Sequence, residues 1–398
     1  MVRARLCPAL VGCALAALCG ATATSAVAAD PGPYVALGDS YTAAPLVPTT
    51  HGEPLGCYRS THNYPSLVAA GLGATTFTDV SCSSAETKDM TGAQTVQLGS
   101  PNPPQLSGLG ATARLVTVGI GGNDAGLVGV ATKCLQLGAL APTGSACRDY
   151  YAPNGNDTIA AKIDATAPKI ASVLQAVHDR SPAARVAIVG YPDVAPPGGG
   201  AGCYPLVPVS PDDLRYIDAL ILRINAMIKT QAEANDAEYV DTYDDSRGHD
   251  VCTLPGMRWF EGLVPTMVAY PLHPNALGEA SMARSVLGVL SGPRPAPQLA
   301  ALKAVHRKIK RGRAAAVRFT INRAATVKLT LRRAKHGHYS RVLRTVTIDT
   351  ARGANVAKLT SRSLRRPGRY RITATASSGT GEQVSAPRLT HVRVKRPR

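Results

Sequence analysis

Apolar residues recur along this chain in two different rhythms. Between residues 30 and 292, short strand-like runs that are largely apolar (Tyr34 to Leu37, Leu115 to Ile120, Arg185 to Val189 and Glu238 to Val240) alternate with longer segments. In those segments, Thr158 to Arg180, Pro211 to Ala234 and Pro274 to Leu290, apolar residues return every three or four positions, the period of a helix with one buried face. Largely apolar strands are buried on both sides, so the pattern predicts an α/β domain with a parallel sheet between helices. Its functional groups are expected beyond the carboxyl ends of the strands. After residue 302 the rhythm becomes strict alternation, as in Val317-Arg318-Phe319-Thr320-Ile321, Thr326 to Leu331 and Tyr370 to Ala374. This is the period of half-exposed strands and predicts an all-β sandwich over residues 303–398. Residues 293–302, which open on Pro293-Arg294-Pro295-Ala296-Pro297, read as a Pro-rich spacer.

The first residues fit neither rhythm. Arg3 and Arg5 precede an apolar run from Leu6 to Leu18, and Ala26-Val27-Ala28 supplies a small-residue cleavage pattern, so residues 1–29 read as a signal peptide. Pro8 and a length below about 20 residues disfavour a membrane anchor. The mature chain is therefore expected to be secreted and extracellular. Six cysteines remain in it: Cys57, Cys82, Cys134, Cys147, Cys203 and Cys252. An even number in an exported chain predicts three disulfides, whose pairing the count leaves open. No Cys/His cluster has metal-ligand spacing, so neither a metal nor another cofactor is expected.

Three motifs carry chemistry. Tyr34-Val35-Ala36-Leu37-Gly38-Asp39-Ser40 is a buried strand that stops at a glycine and presents a serine at its end. Thr42 stands where the nucleophile elbow G-x-S-x-G needs its last glycine, which argues against an α/β-hydrolase. Leu115 to Ile120 runs in the same way into Gly121-Gly122-Asn123-Asp124, which fits neither G-x-G-x-x-G nor a P-loop and leaves a carboxamide donor at the strand end. Tyr270-Pro271-Leu272-His273-Pro274-Asn275 places a histidine just before a helix.

Taken in order, Gly38-Asp39-Ser40, Gly121-Gly122-Asn123-Asp124 and His273-Pro274-Asn275 resemble the blocks of the GDSL, or SGNH, hydrolases, over roughly Asp30 to Leu290. The likeness is greatest to secreted lipases and phospholipases of Streptomyces, a branch that Val189-Gly190-Tyr191-Pro192 and Gly248-His249-Asp250-Val251-Cys252 also resemble. The resemblance implies a flavodoxin-like three-layer fold and a serine esterase acting on carboxylic esters without a metal. In it Ser40 is the nucleophile and His273 its base. The implied oxyanion hole consists of the Ser40 amide, an amide near Cys82 and the Asn123 side chain. Ser84 stands where the family has the second donor's glycine. Tyr270 stands where the family commonly has an aspartate, so the Tyr270 main-chain carbonyl is the expected partner of His273, with Asp241, Asp244, Asp245 and Asp250 as substitutes. Asp39 is expected to support the local turn. The resemblance also implies sequential disulfides, Cys57 with Cys82, Cys134 with Cys147 and Cys203 with Cys252.

Lipid or phospholipid acyl esters are the expected substrates, with apolar loops at Ala125 to Val130 and Leu135 to Ala141 lining an acyl channel. A carbohydrate acetyl esterase, or an inactive surface-binding relative, is the alternative. The tail holds 26 Lys and Arg against Asp349 and Glu382, a net +24, leaving −6 for the rest of a chain that totals +18. It is similar in pattern to Ig-like modules that end many actinobacterial exported proteins. Such charge predicts binding to polyanions, with an anionic membrane surface or a cell-wall polymer as the expected partner. Nucleic acid is not expected, since the protein reads as exported and the tail's only aromatics are Phe319, Tyr339 and Tyr370. A monomer is expected.

Overall fold

All four apolar runs become strands of one parallel sheet. The computed structural model describes residues 31–200, 203–335, 337–360, 362–377 and 384–395; the signal sequence lies outside the described residues. Strands β1 (Tyr34–Gly38), β2 (Phe77–Asp79), β3 (Leu115–Gly119), β4 (Arg185–Val189) and β5 (Glu238–Val240) pair in the order β2-β1-β3-β4-β5. All the pairings are parallel. The order reverses between β1 and β3, so the loops leaving these two strands diverge and open a crevice at their carboxyl ends. Gly38 and Gly119 are register partners there, which brings the serine and asparagine motifs side by side.

Helices cover both faces. They are α1 (Ser40–Ala43), α2 (Tyr64–Leu72), α3 (Gly122–Ala125), α4 (Leu127–Leu140), α5 (Ala146–Tyr151), α6 (Thr158–Arg180), α7 (Pro211–Ala234), α8 (Tyr243–Ser246) and α9 (Ala276–Ser291). Val35, Leu37, Val116 and Val118 point into a core shared with α6 and α7. Tyr34, Ala36 and Leu115 point the other way, against α2 and α9. Because a strand's side chains alternate between faces, two apolar faces require the largely apolar runs seen in the sequence.

Two segments read as loops, Ala125 to Val130 and Leu135 to Ala141, belong mainly to the single helix α4. Gly138 explains the misreading. A Cβ there would lie 2.1 Å from the Pro208 carbonyl oxygen, so this glycine serves close packing, at the usual cost in helix propensity. The edge strand β2 was also not anticipated, being three residues long and only partly buried.

The tail forms strands β6 (Leu299–Ala304), β7 (Lys308–Ile309), β8 (Ala315–Ile321), β9 (Ala325–Lys335), β10 (His338–Tyr339), β11 (Arg344–Thr350), β12 (Gly353–Leu359), β13 (Gly368–Ser377) and β14 (Arg388–Val394). One sheet runs β10-β9-β13-β14-β7, with β11 also on β9; the other runs β12-β8-β6. Val317, Phe319 and Ile321 of one meet Leu329, Leu331 and Ile372 of the other in a single core. Strand β6 begins at Leu299, inside the stretch read as spacer.

The tail docks where β4 and β5 begin, at the end of the parallel sheet opposite Ser40. Asp236, just before β5 with its side chain shielded from solvent, accepts from Arg323 at 2.6 Å, Asn322 at 2.9 Å and Arg294 at 3.5 Å. Arg352 reaches Asp179 at 3.4 Å.

Candidate active site

The serine stands at the start of α1 because Asp39 caps that helix. One Asp39 carboxylate oxygen accepts from the Tyr41 amide at 2.9 Å, and the other from the Tyr191 hydroxyl at 2.5 Å. Tyr191 in turn accepts from the Gly122 amide at 2.7 Å, so a single phenol links the β1 and β3 loops. Burial pushes the Asp39 carboxyl up to about 7, against the lowering effect of these bonds. Asp39 thus supports the turn. Gln105 holds the strand end from behind, accepting from the Gly38 amide at 2.8 Å and donating to the Gly38 carbonyl at 2.9 Å. Gly38 tolerates no side chain, since a Cβ would lie 2.1 Å from Thr42 Oγ1. Thr42 is the residue that breaks the elbow pattern.

His273 approaches from the other side of the crevice. Its Nε2 lies 2.8 Å from Ser40 Oγ, and its Nδ1 lies 2.9 Å from the Pro271 carbonyl oxygen. The orienting carbonyl is therefore that of Pro271 and not of Tyr270. The Tyr270 carbonyl accepts instead from the His273 main-chain amide at 3.2 Å, closing a turn in which Leu272 adopts a left-handed φ of 62°. Tyr270 does remain at the site through its ring, which stands edge-on to the imidazole at 5.3 Å. The four candidate aspartates are engaged elsewhere: Asp241 with the Tyr243 amide, Asp244 with Arg247, Asp245 with Ser285 and Asp250 with the Cys252 amide.

Two residues that hold this turn were invisible to sequence reasoning. Tyr41 donates its hydroxyl to the Leu272 carbonyl at 2.8 Å and lays its ring 5.1 Å from the imidazole. Glu261, fully buried, exchanges main-chain bonds with His273 and Leu272 and accepts from Asn275 Nδ2 at 2.7 Å. Asn275 Oδ1 caps α9, accepting from the Leu277 and Gly278 amides. The motif His273-Pro274-Asn275 is thereby fixed at both ends.

Asn123, in α3, donates one Nδ2 hydrogen to the Ala85 carbonyl at 2.9 Å, leaving the second for the crevice. Ser84 is the third residue of a turn closed by the Ala85 amide on the Cys82 carbonyl, and its φ is +65°. A type II turn takes a left-handed residue at this place, which is why glycine suits it and serine strains it by about 1 kcal/mol. Among the described residues nothing accepts from the Ser40 or Ser84 amide. The Cys57–Cys82 disulfide and the bonds from Thr87 to Asp124 brace the Ser84 loop. The other disulfides are Cys134–Cys147 and Cys203–Cys252.

Ser40, Asn123 and His273 all line one cavity of about 490 Å³. Most of its remaining wall is apolar, built from α4 and α7 residues such as Leu127, Leu135, Leu214 and Ile221. Burial lowers the His273 pKa below the ordinary 6.5, opposed by the Pro271 carbonyl. A neutral imidazole one hydrogen bond from a serine hydroxyl is able to accept its proton.

Residues 36–280, most of the α/β domain including every site residue above, match the model of the GDSL-like lipase/acylhydrolase family. The chain belongs to this family. It is 40% identical to Lipase 2 of Streptomyces coelicolor over 259 residues, 65% of this chain and 85% of that protein. Among solved structures it resembles an extracellular lipase from Streptomyces rimosus (30% identity, TM-score 0.54, 65% of this chain and 99% of the other). A phospholipase A1 from Streptomyces albidoflavus is similar at 27% identity (TM-score 0.54, 66% and 99%). This lipase/acylhydrolase is thus a carboxylic ester hydrolase of the Streptomyces type.

Proposed function

We propose that the protein is a secreted serine lipase acting on acyl esters of lipid type, with Ser40 as nucleophile and His273 as general base. The observation that carries this reading is the 2.8 Å bond from Ser40 Oγ to His273 Nε2 at the wall of an apolar cavity. His273 takes the hydroxyl proton as Oγ attacks the ester carbonyl. The Ser40 and Ser84 amides and Asn123 Nδ2 receive the oxyanion, and the proton passes to the departing alcohol. Water then attacks the acyl-enzyme with His273 again as base. The Pro271 carbonyl holds Nδ1–H and so fixes the tautomer that leaves Nε2 free, a task that needs orientation more than charge. Residues 1–29 are assigned to export and removed.

The apolar wall favours an acyl chain over the acetyl group of a carbohydrate ester. Each methylene it buries stabilises the transition state by about 0.8 kcal/mol. Over p-nitrophenyl esters lengthened from acetate, kcat/KM is therefore expected to rise by about three- to fourfold per methylene until the cavity is filled. A profile that falls from acetate onward supports the deacetylase alternative. A folded protein inert on every ester supports the surface-binding one.

The lowered pKa of His273 sets the acid limb of activity. The base must be neutral to work, and a depressed pKa keeps it neutral to lower pH. Half-maximal kcat/KM is therefore expected below pH 6.5, the ordinary imidazole value, in a pH–rate profile. A midpoint above 6.5 would contradict the burial seen here.

A further inference from the structure

The outer face of the larger tail sheet carries cations directly opposite one another. On β13 the side chains of Tyr370, Ile372 and Ala374 enter the core, so Arg369 and Arg371 point outward. Across the strands, Arg369 is the register partner of Arg393, and Arg393 of Lys308. One step along, Arg371 is the partner of both His391 and Arg332. Two parallel rows result, Lys308-Arg393-Arg369 and His391-Arg371-Arg332, five cations and a histidine that burial and the neighbouring arginines hold neutral, on backbone positions about 5 Å apart across the strands and about 7 Å along them.

Like charges placed directly opposite destabilise a sheet. A surface built only for solubility intersperses both signs. Here the one acidic side chain among the described tail residues, Asp349, lies beside β9 near Thr326, to which it is bonded, six positions from Arg332. The Arg371 Nε, shielded from solvent, meets no acceptor among the described residues. Its guanidinium lies 4.0 Å from the Tyr339 ring, whose hydroxyl is 2.9 Å from His391 Nε2. Arg307, Arg369, His391 and Arg393 also line a groove of about 770 Å³, and a concave cationic wall focuses its field.

We infer that this face is a binding site for a linear, base-free phosphodiester polymer laid across strands β7, β14, β13 and β9. Guanidinium forks suit phosphate oxygens, and four of the six row positions are arginine. A membrane is the less fitting partner, because the tail docks at the end of the parallel sheet remote from Ser40. A surface held there is an anchorage and not the substrate.

The test uses full-length mature protein, inorganic polyphosphate and poly(glycerol phosphate) as probes, and vesicles of anionic phosphatidylglycerol as the competing surface. The triple variant Arg369→Glu, Arg371→Glu, Arg393→Glu is expected to weaken polymer binding by about 100-fold or more. The slope of log Kd against log salt should fall by about 2, from about 0.7 for each lost cation. A second triple variant, Lys303→Glu, Arg318→Glu, Lys358→Glu, removes the same charge from the other sheet and is expected to weaken binding less than tenfold. Hydrolysis of a soluble ester should be equal in all three proteins, which separates this site from the esterase reading and reports that each variant folds. Equal losses in the two triples would reduce the effect to net charge and overturn the site. Vesicle binding tighter than polymer binding would overturn the choice of partner.

Discussion

Replacing Ser40 by alanine is expected to lower kcat/KM for ester hydrolysis by roughly 10⁴- to 10⁶-fold while leaving the melting temperature within about 2 °C. The size follows from the role proposed for the hydroxyl, since without it no acyl-enzyme forms and only the bound oxyanion donors remain to assist water. Stability should be spared because, among the described residues, the side-chain oxygen bonds only to His273. His273→Ala should cost a comparable factor, and the double variant no more than either single one, since the two groups act as a unit. Additive losses would mean that His273 serves a step separate from Ser40.

The next largest effect is expected at Asn123. Asn123→Ala should lower kcat by about 10²- to 10³-fold, with KM changing much less. A donor aimed at charge that develops only in the transition state contributes little to ground-state binding. The bond from Asn123 to the Ala85 carbonyl gives a second reason for care, because losing it frees the turn that carries Ser84. Asn123→Asp loses both donations, since each comes from Nδ2. It keeps the volume, but it replaces the donor with an acceptor, so its kcat should fall at least as far as that of the alanine variant. A rise in KM alone, with kcat preserved, would assign Asn123 to substrate binding instead.

The parts of this fold that could be read from the sequence were those that depend on one segment at a time. The β1, β3, β4 and β5 runs, the α6 and α7 helices, and the serine, asparagine and histidine motifs each announce themselves locally. What escaped was set by contacts between distant segments. Gly138 reads as a loop residue until the Pro208 carbonyl is seen against it. Glu261 is an ordinary acid in the sequence, and only the bridge between Phe260 and Pro274 brings it under the histidine. Tyr270 was assigned the orienting carbonyl by its position, but the left-handed turn at Leu272 gives that task to Pro271. A backbone acceptor leaves no residue type to recognise. The rows of cations on the tail were likewise visible as alternating arginines, but register alone decides that they face one another across the strands.

The central claim is that Ser40, activated by His273, becomes acylated in turnover. Labelling the mature protein with an alkyl fluorophosphonate, followed by peptide mass spectrometry, tests it most directly. A single phosphonyl adduct on the peptide containing Ser40, formed in step with loss of esterase activity and absent from Ser40→Ala and His273→Ala, is the predicted result. An adduct on another residue, or full activity after stoichiometric labelling of Ser40, would contradict it.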